Sequence, residues 1–113
     1  NKFLSLGTKQ GILILDKNFT VFKKIGLNEG LSDAIINSQF IDSENNLWVG
    51  TNLGLNKIEI NSPIEVCNKK NNLPGGIEDI AKFNKKLFCT TQNGVFYLNQ
   101  NGLAEKIKGI NSA

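Results

Sequence analysis

The chain has 113 residues, 40% hydrophobic and 20% charged, a balance that suits one β-rich folded domain and lies far from a disordered composition. All 13 basic residues are lysine, and against 10 acidic residues they give a formal charge of +3. The absence of arginine and histidine, with lysines scattered in no stripe, argues against nucleic-acid binding, histidine-based catalysis and a Cys/His metal centre.

No apolar run approaches the ~18 residues of a membrane span and no signal peptide is visible, so direct membrane contact is not expected. There is no methionine, and a chain opening on Asn1 reads as a processed or excised segment. In chain order, the first unit is Leu4–Asp16, LSLGTKQGILILD. A short strand ends on Gly-Thr, two turn residues follow, and Gly11 opens an apolar strand. A partly alternating run, Phe19–Ile25, follows the turn Lys17-Asn18.

The loop Gly30-Leu31-Ser32-Asp33 then leads into a strand over Ile35–Asp42, which turns through Ser43–Asn46. Leu47–Glu59, LWVGTNLGLNKIE, repeats the first unit without a gap. Ile64–Cys67 is a short outer strand; Pro63 before it fits an edge, where proline costs no ladder bond. Asn72-Leu73-Pro74-Gly75 leads into Ile77–Asn84, which turns through Asn84-Lys85-Lys86. Leu87–Asn99, LFCTTQNGVFYLN, is the third copy, with Asn93-Gly94 as a hairpin signal, and Leu103–Ile107 follows through Asn101-Gly102. The end, Lys108-Gly109-Ile110-Asn111, matches Ile25-Gly26-Leu27-Asn28.

The three copies stay in register. Thr8, Thr51 and Thr91, like Gly11, Gly54 and Gly94, are 43 and then 40 residues apart, in the range of a four-stranded propeller blade. Leu4, Leu47 and Leu87 form one column and Leu6, Val49 and Cys89 another two residues on, so both lie on one face of a strand. The opposite face carries Ser5, Trp48 and Phe88. The expected fold is all-β: a β-propeller fragment of two complete four-stranded antiparallel blades plus three strands of another. Residues 1–29 supply strands B-C-D of a first blade, 30–71 a second blade and 72–113 a third. Each blade needs neighbours to bury its faces, so the remaining blades of a parent propeller are the first expected partner.

The stretch Gly30–Leu55, GLSDAIINSQFIDSENNLWVGTNLGL, resembles the repeat of the two-component regulator propellers. It matches at Gly30, Leu31, Ser32, Asp33, Asp42, Asn46, Leu47, Trp48, Gly50, Thr51, Gly54 and Leu55. It departs at Ala34, where the family favours Asn, and at Asn45, where it favours Gly; asparagine also tolerates the left-handed region. The outer copies are degenerate, with Ser5 and Phe88 for the tryptophan and Thr90 for the glycine. The resemblance implies the periplasmic sensor region of a hybrid two-component histidine kinase of Bacteroidetes type, recognising an oligosaccharide, with the kinase elsewhere in the parent protein. A homo-oligomer of the parent sensor is a further expected partner.

The structural motif residues are Asp42, Trp48, Gly50, Thr51, Gly54 and Gly94. Asp42 is expected to cap its own turn rather than hold calcium, and Trp48 to pack between blades rather than stack on a sugar. Cys67 and Cys89 fall on an outermost strand and on a second strand of the next blade, so two free thiols are expected. Carboxylate pairs such as Asp33 with Asp79, or Glu78 with Asp79, have no residue pattern that sets them across a substrate. No catalytic residue, cofactor or metal is assigned, and the segment reads as no enzyme.

A ligand would meet the loops at one mouth of the propeller. There the B-to-C turns carry Asn52, Gln92 and Asn93, and the D-to-A loops carry Asp33 with Ser32 and Pro74. Three readings result: a sensor segment that binds or transmits binding, a purely structural scaffold with binding elsewhere, and, more weakly, a propeller-type lyase.

Overall fold

The computed structural model describes residues 3–59 and 63–109. These form eleven strands in three antiparallel sheets. The first holds β1 (Leu4–Thr8), β2 (Gly11–Leu15) and β3 (Val21–Ile25). The second holds β4 (Ile36–Ile41), β5 (Leu47–Thr51), β6 (Gly54–Ile58) and β7 (Glu65–Cys67). The third holds β8 (Asp79–Phe83), β9 (Lys86–Thr91), β10 (Gly94–Leu98) and β11 (Ala104–Lys106). In each sheet the spatial order equals the chain order, the meander of a propeller blade. The described helix is confined to two three-residue 3-10 turns, Leu27–Glu29 and Lys69–Asn71.

The threonine–glycine repeat is a hydrogen-bonding device. Thr8, Thr51 and Thr91 each accept, on Oγ1, the N–H two residues on, from Gln10, Leu53 and Asn93 at 3.1, 3.0 and 3.0 Å. Each hydroxyl donates to the carbonyl of the glycine it pairs with, Gly11, Gly54 or Gly94, at 3.1, 3.2 and 3.3 Å. Those glycines take φ of 120°, 140° and 128°, while the two turn residues before each keep negative φ. The backbone reversal is thus completed by the glycine after the turn, in the manner of a G1 bulge.

Several boundaries differ from the expected ones for local reasons. β3 begins at Val21 because Asp16 Oδ1 accepts the N–H groups of Asn18 and Thr20, which keeps Phe19 in a turn at φ 65°. The turn between β8 and β9 has only two central residues, Asn84 and Lys85, at φ 50° and 66°; Lys86 already belongs to β9. The third sheet's entry starts later than Ile77, because the Ile77 N–H donates to Thr51 O in the second sheet at 2.8 Å. Glu78 N–H then donates to Thr90 O in the third at 2.9 Å. One peptide step therefore passes from sheet to sheet. The expected match at Ile110 and Asn111 lies outside the described residues.

Alternation along β5 sets the packing. Leu47 and Val49 face the first sheet, joining Ile12, Ile14, Ile25, Leu31 and Ile58 in an aliphatic seam. Trp48 faces the other way, into a seam with Leu55 and Cys67 on its own sheet and Ile80, Leu87, Cys89 and Phe96 on the third. Leu31 and Leu73, equivalent residues of the two D-to-A loops, are both fully packed. Gly50 lacks a side chain for a steric reason. A Cβ there would lie 2.5 Å from Ile77 Cγ2 and 2.6 Å from Ser38 Oγ.

Candidate functional site

Two antiparallel turns and one loop meet at one end of the second and third sheets. Asn52, between β5 and β6, and Gln92, between β9 and β10, line a hollow of about 530 Å³ together with Asn37, Gly76 and Glu78. Asn37 is aimed there by a β-bulge: Ile36 pairs with Thr51 and Ser38 with Gly50, leaving Asn37 as the extra residue. Its Nδ2 donates to Asn52 Oδ1 at 2.8 Å. Gly76 lets the loop backbone close on Asn52, since a Cβ on it would sit 3.0 Å from Asn52 Oδ1. The hollow therefore presents three side-chain amides and one carboxylate, donors and acceptors suited to hydroxyl groups.

Of the four residues expected at the mouth, Asn52 and Gln92 line this hollow. Asn93 lies beside it, near Gly75. Asp33 does not line it; its Oδ1 is turned to the N–H of Ile35, at 3.4 Å. Asn37 and Gly76 were not singled out from sequence, and Glu78 entered there only as half of a carboxylate pair with Asp79, not as a residue of the mouth. The two-residue periodicity of β4 could not reveal the bulge that redirects Asn37.

A second polar residue escaped sequence reasoning. Asn56 is fully buried on β6. Its Oδ1 accepts Ser32 N–H at 2.9 Å, and its Nδ2 donates to Ser32 Oγ at 2.8 Å and Val49 O at 3.2 Å. Ser32 and Thr51 share a further hydroxyl bond at 2.8 Å. This network holds the loop before β4 against the β5–β6 hairpin.

At the opposite end, Asp42 is a hub. Its Oδ1 accepts the N–H groups of Glu44 at 2.8 Å and Asn46 at 3.0 Å, closing its own turn, in which Asn45 takes φ 63°. Its Oδ2 accepts Trp48 Nε1 at 2.9 Å and Lys82 Nζ at 3.0 Å. Lys82 belongs to β8, so this pair pins the third sheet to the second. Burial by itself would push the Asp42 carboxyl up. The bonds from Trp48, Asn46, Lys82 and Glu44 outweigh it and hold the group well below the usual carboxylate range. Burial likewise opposes the charge on Lys82, but Asp42 and then Glu44 raise its pKa.

Cys67 and Cys89 are both unlinked and buried, in the same seam between the second and third sheets. Burial pushes the Cys67 thiol up to about 11 and the Cys89 thiol up to about 12, with Cys67 adding to the latter. Among the described residues no group of three or more Cys, Asp or Glu side chains is placed to hold a metal ion. No helix among them is long and apolar enough to cross a membrane.

The described fold has a close counterpart among solved structures. It superposes, at a TM-score of 0.78 and 19% identity, on the extracellular domain assigned to the hybrid two-component system BT3049 of B. thetaiotaomicron. The likeness covers 99% of this chain and 17% of that one, so the chain spans a small part of the larger domain's length. No family model matches the sequence, and no curated protein does. At this identity the likeness establishes the blade fold and nothing finer.

Proposed function

We propose that the chain is a sensor segment of the periplasmic region of a hybrid two-component signalling protein, binding an oligosaccharide at the amide-lined mouth without turning it over. The carrying observation is the convergence of Asn37, Asn52, Gln92 and Glu78 from two different sheets on one hollow. A bound saccharide would touch both sheets, so its binding would report on their relative position. The fold shared with an extracellular domain of a two-component system supports that setting. The remaining blades of the parent propeller are its structural partners, and the parent sensor works as a homo-oligomer.

Calorimetry of the full-length ectodomain against an oligosaccharide panel tests this, with Asn52→Ala and Gln92→Ala as variants. Loss of one well-placed hydrogen bond weakens binding by about tenfold. Unchanged affinity in both variants favours the scaffold reading, to which the buried Asp42–Lys82 pin between sheets also lends weight. Turnover of any glycan would overturn the non-enzymatic assignment.

A further inference from the structure

Two steps in the chain place asparagine directly before glycine, Asn93-Gly94 and Asn101-Gly102. Such a step carries its own chemistry. The glycine nitrogen, unshielded by a side chain, attacks the side-chain carbonyl carbon of the asparagine once the backbone between them rotates. By sequence the two steps are equivalent, and both lie at turns of the third sheet. The structure separates them.

Asn93-Gly94 is locked into the β9–β10 hairpin. The Asn93 N–H donates to Thr91 Oγ1 at 3.0 Å, and that hydroxyl donates to Gly94 O at 3.3 Å. Gly94 pairs with Thr91 in the ladder and is buried, and a Cβ on it would lie 2.7 Å from Lys106 Cε. Rotating that peptide would open the β9–β10 ladder at its hairpin end. Asn101-Gly102 lies instead in the turn between β10 and β11, which Asn99 organises. Asn99 Oδ1 accepts the N–H groups of Asn101 and Leu103 at 2.9 and 3.1 Å, and its backbone O accepts Gly102 N–H at 3.0 Å. Both residues of the step are exposed, the Asn101 amide makes no side-chain hydrogen bond among the described residues, and a Cβ on Gly102 would meet nothing within 4 Å. Beyond the turn lies β11, an edge strand of three residues. Local opening here disturbs one short edge strand and leaves the buried seams intact.

We propose that Asn101 is a site of self-modification, at which the turn converts a neutral amide into a carboxylate. The Gly102 nitrogen loses its proton to solvent base and bonds to Asn101 Cγ. The bond from Cγ to the side-chain nitrogen breaks, and ammonia leaves with a proton taken from water. Water then opens the five-membered imide at either carbonyl, giving aspartate or its isoaspartyl isomer. The isoaspartyl product adds one carbon to the main chain, so Asn99 Oδ1 can no longer hold the Asn101 and Leu103 N–H groups together. The entry to β11 loosens as a result, whether or not the mouth is occupied.

The test incubates the full-length ectodomain, folded, at mildly alkaline pH. The tryptic peptide Leu87–Lys106 carries both steps, so fragment-ion mass spectrometry reads them side by side. Asn101 should convert to the acid about tenfold or more faster than Asn93, the factor that one further net hydrogen bond in the hairpin supplies. In urea-unfolded protein the two rates should converge, because only the fold tells them apart. Asn99→Ala removes the side-chain acceptor of the turn and should speed Asn101 while leaving Asn93 unchanged. Equal rates in the folded protein overturn the proposal, as does an Asn101 that stays intact while the unfolded chain converts, or one that Asn99→Ala does not speed.

Discussion

The two seams between sheets are built from different chemistry, although the same strand, β5, supplies one side of each. The seam toward the first sheet is aliphatic, with Ile12, Ile14 and Ile25 against Leu47, Val49 and Ile58. The seam toward the third sheet mixes Trp48, two thiols and aromatic Phe96, and it ends in the Asp42–Trp48–Lys82 cluster. The aliphatic seam is held mainly by area removed from water, and the side-chain hydrogen bond from Ser5 Oγ to Gln39 Oε1 beside it, at 2.8 Å, is exposed. The mixed seam has a directional contact at one end that sets how the two sheets meet. The amide-lined mouth lies between the same two sheets.

The sharpest way to break that contrast is Asp42→Ala. It strands Lys82 and Trp48 Nε1 and should cost about 3–5 kcal/mol in urea denaturation. A double-mutant cycle with Lys82→Met should show strong coupling, whereas Asp42 paired with Ile14 should be additive. The pH dependence has a definite sign. The folded carboxyl lies below its unfolded value, so this stabilisation is present above the unfolded pKa of about 3.9 and is lost as pH falls toward the folded one. An Asp42→Asn variant should flatten the acid limb of the stability curve.

Ile14→Ala, in the aliphatic seam, should cost about 2–5 kcal/mol with no change in that acid limb. Gly50→Ala should cost about 1–3 kcal/mol, since its Cβ must displace the buried Ile77. Gly7→Ala, the equivalent change in the first copy, meets its nearest atoms at 3.3 Å and should cost clearly less. Equal losses would show that the seams are alike. The smallest effect concerns the thiols: with pKa values near 11 and 12, Cys67 and Cys89 should resist alkylation at pH 8 until the protein unfolds.

Repetition in sequence does not mean equivalence in place. β1 and β5 share a pattern, yet Leu4 and Leu6 are 44% and 43% exposed, whereas Leu47 and Val49 are fully buried. The leucine columns face the preceding sheet, and the first sheet has none before it in this structure. Likewise Trp48 and Phe88 hold the same column. Trp48 is covered by the third sheet, while Phe88 packs beside Tyr97 with ring centroids 6.0 Å apart.

What the chain wrote locally could be read from it. The Thr-x-x-Gly hairpins, the Asp42 turn, the positive φ at Asn45 and the alternation that divides Leu47 and Val49 from Trp48 all depend on residues within a few positions of one another. Short-range hydrogen bonds and strand periodicity encode them directly. Lys82 meeting Asp42, Asn37 leaving the ladder, and Glu78 joining Asn52 and Gln92 were decided by the tertiary structure. Each depends on the angle and register at which two twisted sheets pack, and that is a sum over many contacts that no single motif carries.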